Sequence, residues 1–116
     1  SEAELDAVAD ELLDRYGPLP EAAANLLEVA RFRLLCREVG LTEVLTAGTM
    51  VRFAPALLAE SRDLRRQRLY PGSRVNKQTG QLFLPRPRTA PVGGAAVVDR
   101  ELLGWATDAV RALLAP

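Results

Sequence analysis

The stretch Glu11-Leu-Leu-Asp-Arg-Tyr-Gly-Pro-Leu-Pro20 decides how the fold begins, because it ends one helix and starts the next. Gly17 can take the left-handed conformation that follows a last helical turn, and Pro18 cannot continue a helix. Pro20 suits the first position of a new helix, since its fixed φ and missing N–H cost nothing there. The pattern predicts a helical hairpin with a short, stiff connection.

The spacing of apolar residues predicts the two helices of this hairpin. Residues 3–16 repeat apolar side chains at i, i+3, i+4 and i+7, which indicates an amphipathic helix whose apolar face points to the core. A second helix is predicted from Pro20 to about Val39 and ends at Gly40. Its apolar residues surround much of its circumference, so we expect it to be packed on most sides, with Cys36 as a buried structural thiol.

Beyond the hairpin the pattern changes to short β-type segments. Two runs, Thr42 to Ala47 and Met50 to Phe53, predict a hairpin or two adjacent strands. Two more, Arg74 to Asn76 and Gln81 to Leu84, predict a second hairpin. In the last of these runs, Leu82 and Leu84 lie on one face. Residues 85–94, which are rich in proline and glycine, predict an extended loop.

Two further helices complete the prediction. Residues from Pro55 to Leu69 are expected to be helical, in one or two pieces, with Ser61 as the N-cap of Arg62 to Leu69. A last helix is expected from about Asp99, its predicted N-cap. The expected fold class is α+β: a small single domain over residues 1–116, with an N-terminal helical hairpin, short antiparallel strands and a C-terminal helix packed on the sheet.

Composition narrows the possible functions. The 116 residues are 48% hydrophobic, which suits one globular domain, and they include one cysteine and no histidine. Without histidine, a His general base and a Ser–His or Cys–His nucleophile pair are excluded within this chain, and no phosphate-binding glycine motif occurs. We expect no catalysis, no cofactor and no metal in this domain. Its uncharged runs fall short of a membrane span, and the expected location is the cytoplasm.

The charges are unevenly distributed, although they sum to zero. Residues 1–21 carry seven acidic side chains against Arg15 alone, and residues 62–88 carry eight basic ones against Asp63 alone. Asp10, Glu11 and Asp14 fall on the polar side of the first helix. Such an acidic face is also explained without any partner, by charged side chains that are simply solvated, and the same explanation applies to the basic residues 62–88. A second candidate, for contact with nucleic-acid phosphates, is the cluster Arg62, Arg65, Arg66 and Arg68.

A resemblance to a known family adds a function. The stretch Glu11 to Pro20, followed by Asn25-Leu-Leu-Glu-Val-Ala-Arg-Phe-Arg33 and Gly40, resembles the C-terminal domain of bacterial transcription-repair coupling factors, the Mfd family. Val51-Arg-Phe53 and the run from Arg66 to Gly72 follow in the expected order. The resemblance implies a regulatory, non-catalytic domain of a larger DNA translocase, whose ATP and magnesium belong to motor domains outside these residues.

The resemblance also implies partners. In this family the domain covers the UvrA-binding surface of a UvrB-like N-terminal module, in competition with UvrA, until RNA polymerase is engaged; polymerase and DNA are partners of the parent protein. Because that surface contains arginine, we expect Glu11 and Asp14 to contact it, with Asp10 as an accessory and Arg15 paired to Glu11. The alternatives are a DNA-contacting module using the Arg62–Arg88 region and a purely stabilising end-cap. The fragment is expected to be monomeric, with no membrane partner.

Overall fold

The computed structural model describes residues 1–116 as four helices and one four-stranded sheet. In chain order the elements are α1 (Glu2–Tyr16), α2 (Glu21–Val39), β1 (Glu43–Ala47), β2 (Met50–Ala54), α3 (Glu60–Leu69), β3 (Arg74–Asn76), β4 (Gln81–Pro85) and α4 (Asp99–Leu113). This arrangement confirms the predicted α+β class. None of the helices combines the length and apolar character that crossing a membrane requires.

Both predicted hairpins form, and a pairing between them makes one sheet of order β1-β2-β4-β3, antiparallel throughout. In that central pairing Phe53 lies opposite Leu82, and Val51 lies opposite Leu84. These four side chains are buried on one face of the sheet. The buried residues of α4 complete the same core: Ala106, Ala109, Val110 and Leu113. The C-terminal helix therefore covers the sheet, as predicted.

The helical hairpin lies beside this core. Gly17 ends α1 as expected and donates its backbone N–H to the Leu13 carbonyl at 2.9 Å. Its φ of 76° is positive, but its ψ of −163° differs from the predicted left-handed conformation. Neither α1 nor α2 contains a fully buried residue. The apolar side of α1 packs on α2 and does not reach the core as predicted, and the prediction that α2 is packed on most sides holds only as half-burial. The helix α2 lies between α1 and α4 and places Phe32, Leu35 and Val39 against the core, so only its outward stripe faces solvent. Cys36 is half-buried, not fully buried, and this burial raises the pKa of its thiol.

Three helix starts differ from their predictions. Pro20 is the N-cap of α2, one residue before the helix. The helix predicted from Pro55 begins only at Glu60, with Ala59 as its cap, so Ser61 lies in the first turn. Buried Ala56 donates its N–H to the Gly80 carbonyl at 2.7 Å, and this tertiary bond takes the place of a helical one. Asp99 is the first residue of α4, after Val98, and makes no side-chain cap.

Candidate functional site

The acidic face of α1, formed by Asp10, Glu11 and Asp14, is solvent-exposed in the structure. Ser1 and Glu4 make a capping box that starts the helix, and Leu5, Ala9 and Leu12 turn their half-buried side chains the other way. Glu11 and Asp14 are three residues apart and are therefore neighbours on the helix surface. The structure thus brings all three predicted acids onto one outward surface.

One of these acids has an ion-pair partner. The Arg15 guanidinium lies 3.0 Å from a carboxylate oxygen of Glu11, which confirms the local i, i+4 pair. Asp10 and Asp14 form no ion pair, so the acidic face keeps two uncompensated carboxylates. Exposed pairs such as Glu11–Arg15 contribute little stability and can exchange for a partner's guanidinium at small cost.

Other acids of α1 attach the helix to the rest of the domain. Asp6 lies 2.7 Å from a guanidinium nitrogen of Arg31 on α2, and Glu2 lies 3.3 Å from one of Arg111 on α4. These pairs hold the N-terminal half of α1. The uncompensated carboxylates belong to its C-terminal half, next to the Gly17-Pro18 turn.

The four arginines predicted for nucleic-acid contact do not share one outward surface. Arg66 is buried, at 9% exposure, and its Nη1 donates to the carbonyl and the hydroxyl of Ser73 at 3.0 and 2.8 Å. Its Nε donates to Asp63 Oδ1 at 2.9 Å, and this hydrogen bond holds the pKa of the Asp63 carboxyl below its usual value. Arg65 donates to the Ala112 carbonyl at 2.8 Å, near the end of α4.

Arg65 and Arg68 are exposed and Arg62 is half-buried, so the predicted basic cluster faces solvent without Arg66. Sequence reasoning missed the internal role of Arg66. A signal was present, because Asp63 lies one helical turn before it and places a carboxylate within reach.

A surface that sequence reasoning did not identify lies on α2. Exposed Arg33 and Arg37 line two apolar grooves, of about 510 and 540 Å³, on either side of the helix. The signal was the apolar pattern around much of α2, which in a sequence alone also predicts burial on most sides. The structure contains no group of three or more acidic or cysteine side chains suited to a metal ion.

Comparison with known proteins places this geometry in a family. A family model described as the TRCF domain matches residues 1–62, slightly more than half of the chain and including both helices of the hairpin. Proteins named transcription-repair-coupling factor from Mycobacterium bovis and Mycobacterium tuberculosis are 43% identical over 114 residues, which is 97% of this chain and 9% of each relative.

A third protein of that name, from Haemophilus influenzae, is 43% identical over 53 residues, or 46% of this chain and 4% of the relative. The chain therefore spans less than a tenth of the length of the mycobacterial relatives. The residues that the family model matches contain the acidic face of α1 and its Gly-Pro-Leu-Pro turn. The chain belongs to the TRCF domain family of transcription-repair-coupling factors.

Proposed function

We propose that this domain is a non-catalytic regulatory module of a transcription-coupled repair translocase, and that its acidic face covers the UvrA-binding surface of a UvrB-like module. The observation that carries the proposal is the outward placement of Asp10, Glu11 and Asp14 on a helix with no buried residue. A carboxylate-bearing helix suits an arginine-containing surface, because guanidinium and carboxylate pair with two parallel hydrogen bonds.

The exposure of these carboxylates suits a contact that opens. Interactions between exposed charges are screened by salt and act over about 10 Å at an ionic strength of 0.1 M, so such a contact is specific without being permanent. A closed state favoured by a few kcal/mol leaves the open state rare, and polymerase needs only to bind the open state more tightly. Release then exposes the UvrA-binding surface.

The alternative, a DNA-contacting module, has less support. Arg66, one of the four arginines in its cluster, is buried, and Arg65, although exposed, donates a hydrogen bond to the Ala112 carbonyl of α4. A basic surface that neutralises fewer phosphates binds DNA with a lower affinity and a weaker salt dependence. A duplex-DNA titration of this chain at about 50 mM salt, in which binding is expected to be absent, separates the two proposals.

The main experiment measures binding of the 116-residue chain to the purified UvrB-like module of its parent polypeptide at low salt. The double variant Glu11→Arg/Asp14→Arg is expected to bind at least roughly tenfold more weakly, because each substitution places like charge against the partner's arginines. Its melting temperature is expected to stay near that of the unmodified chain, since both side chains are exposed.

A matched control is Glu38→Arg/Asp108→Arg, which reverses two exposed carboxylates outside the acidic face, on α2 and α4. The control is expected to bind as the unmodified chain does. Equal weakening by both double variants would show a general charge effect. Unchanged binding of Glu11→Arg/Asp14→Arg would rule out the acidic face as the contact.

A further inference from the structure

The outward side of α2 carries a ridge, formed by Leu26, Val29, Arg33 and Arg37, that borders an apolar groove. These residues recur at i, i+3, i+7 and i+11 and so follow one face of the helix. The groove between this α2 ridge and α1 has a volume of about 510 Å³. Its apolar lining comes from both helices: Leu5, Val8, Leu26, Val29, Ala30 and Leu34.

The apolar groove is open to solvent. Leu26 is 71% exposed and Val8 is 48% exposed, although both side chains are large and hydrophobic. The exposed apolar surface is continuous across two helices, whereas single scattered apolar residues are normal on a protein surface. Neither helix of the hairpin has a fully buried residue, so its apolar side chains keep part of their surface in contact with solvent.

The charge beside the groove is positive and uncompensated. Arg33 and Arg37 lie one helical turn apart, are exposed, and take part in no ion pair or side-chain hydrogen bond in this structure. The two acidic side chains that line the grooves have partners: Glu4 belongs to the capping box of α1, and Glu43, in the neighbouring groove, lies 2.6 Å from Arg52. Among the charged residues that line the grooves, only the guanidinium groups of Arg33 and Arg37 are therefore unpaired.

We propose that the α2 ridge and the groove beside it bind an acidic amphipathic helix. The partner's apolar side chains, at i, i+3 or i+4 and i+7, would enter the groove between α1 and α2. Its carboxylates, one turn apart, would pair with Arg33 and Arg37. The distance along the helix axis from Leu26 to Arg37 is about 16 Å, which three turns of a partner helix match.

This site is distinct from the acidic face and does not depend on the proposed function. The acidic face requires a basic partner, whereas the α2 ridge requires an acidic one. The two surfaces therefore select different partners by the sign of their charge.

The test uses two blocked helical peptides of roughly 18 residues with the same leucine face, one flanked by glutamate and the other by lysine. NMR titration of the chain is expected to show shifts at Leu26, Val29 and Arg33 with the glutamate peptide, which binds roughly tenfold more tightly than the lysine peptide. In Arg33→Glu/Arg37→Glu this preference is expected to reverse. A variant that now prefers the lysine peptide must still be folded, so this reversal distinguishes a specific charge match from a loss of folding.

Two controls sharpen the test. Arg68→Glu/Arg100→Glu, which reverses two exposed arginines outside the groove, is expected to leave the preference unchanged. Leu26→Ala, at a site that is 71% exposed, is expected to weaken the glutamate peptide several-fold without lowering the melting temperature. Equal binding of both peptides, absence of shifts at the groove, or a dimer held through the groove in sedimentation would each overturn the proposal.

Discussion

The Nε of Arg66 donates to Asp63 Oδ1 at 2.9 Å across one turn of α3, while Nη1 of the same guanidinium donates to Ser73. The buried guanidinium therefore ties the helix to the turn that leads into β3. Its burial identifies Arg66 as a structural residue and removes it from any outward basic surface.

Arg66→Ala is expected to lower the free energy of unfolding by about 2 to 3 kcal/mol, because it leaves the partners of a charged, buried donor without their hydrogen bonds. Urea denaturation followed by circular dichroism measures the change. Arg68→Ala, at an exposed position two residues away, is expected to change it by less than about 0.5 kcal/mol. Similar losses in the two variants would contradict the structural role of Arg66.

The Asp63 carboxyl is expected to contribute a pH-dependent part of the stability. The Arg66 hydrogen bond lowers its pKa in the folded state, whereas in the unfolded chain the pKa is about 3.9. The contribution is therefore complete above that value and is lost as the pH falls through the folded-state pKa. Below about pH 4, the free energy of unfolding should fall more steeply in the unmodified chain than in Asp63→Asn. Parallel pH profiles from urea denaturation would refute this assignment.

Gly104 offers a stabilising substitution. It lies within α4, and a Cβ added there would meet no heavy atom within 4 Å. Gly104→Ala is expected to raise the free energy of unfolding by about 0.5 to 1 kcal/mol, because alanine has the higher helix propensity and the less flexible unfolded chain. Thermal denaturation measures the gain. Gly93→Ala, at a φ of 74°, is the contrasting variant and is expected to destabilise the protein.

The helix α1 is expected to open more readily than α4. It has no buried residue, whereas α4 has four, and its contacts with the rest of the domain include the ion pairs Asp6–Arg31 and Glu2–Arg111. Amide hydrogen exchange should therefore be faster in residues 6–16 than in residues 106–113. Raising the salt from about 0.05 to 0.5 M should speed exchange in α1 only.

A substitution tests the same idea at constant salt. Asp6→Asn is expected to speed exchange in α1 at low salt, because it removes the attraction to Arg31. Asp108→Asn, which changes an exposed carboxylate of α4 that forms no ion pair, is the control. Equal protection of α1 and α4 in the unmodified chain would show that the hairpin is held more firmly than these contacts indicate.

Local signals in the sequence were enough to predict the helical hairpin, both β-hairpins and the acidic face. Gly17 ends α1 because its own backbone reaches a positive φ. The spacing of apolar residues distinguishes the apolar side of a helix or strand from its polar side. Asp10, Glu11 and Asp14 were placed on one face by helical geometry alone. These features depend on a few neighbouring residues, so the sequence by itself determines them.

Only the tertiary structure decided how these pieces meet. The pairing of Phe53 with Leu82 joins strands that are far apart in the chain, and both side chains belong to the same core as the buried residues of α4. Arg66 turns inward because the turn before β3 brings Ser73 to it, and the outward stripe of α2 stays exposed because no other element of this domain covers it. Burial is set by what surrounds a side chain, and the periodicity of one helix contains no information about its neighbours.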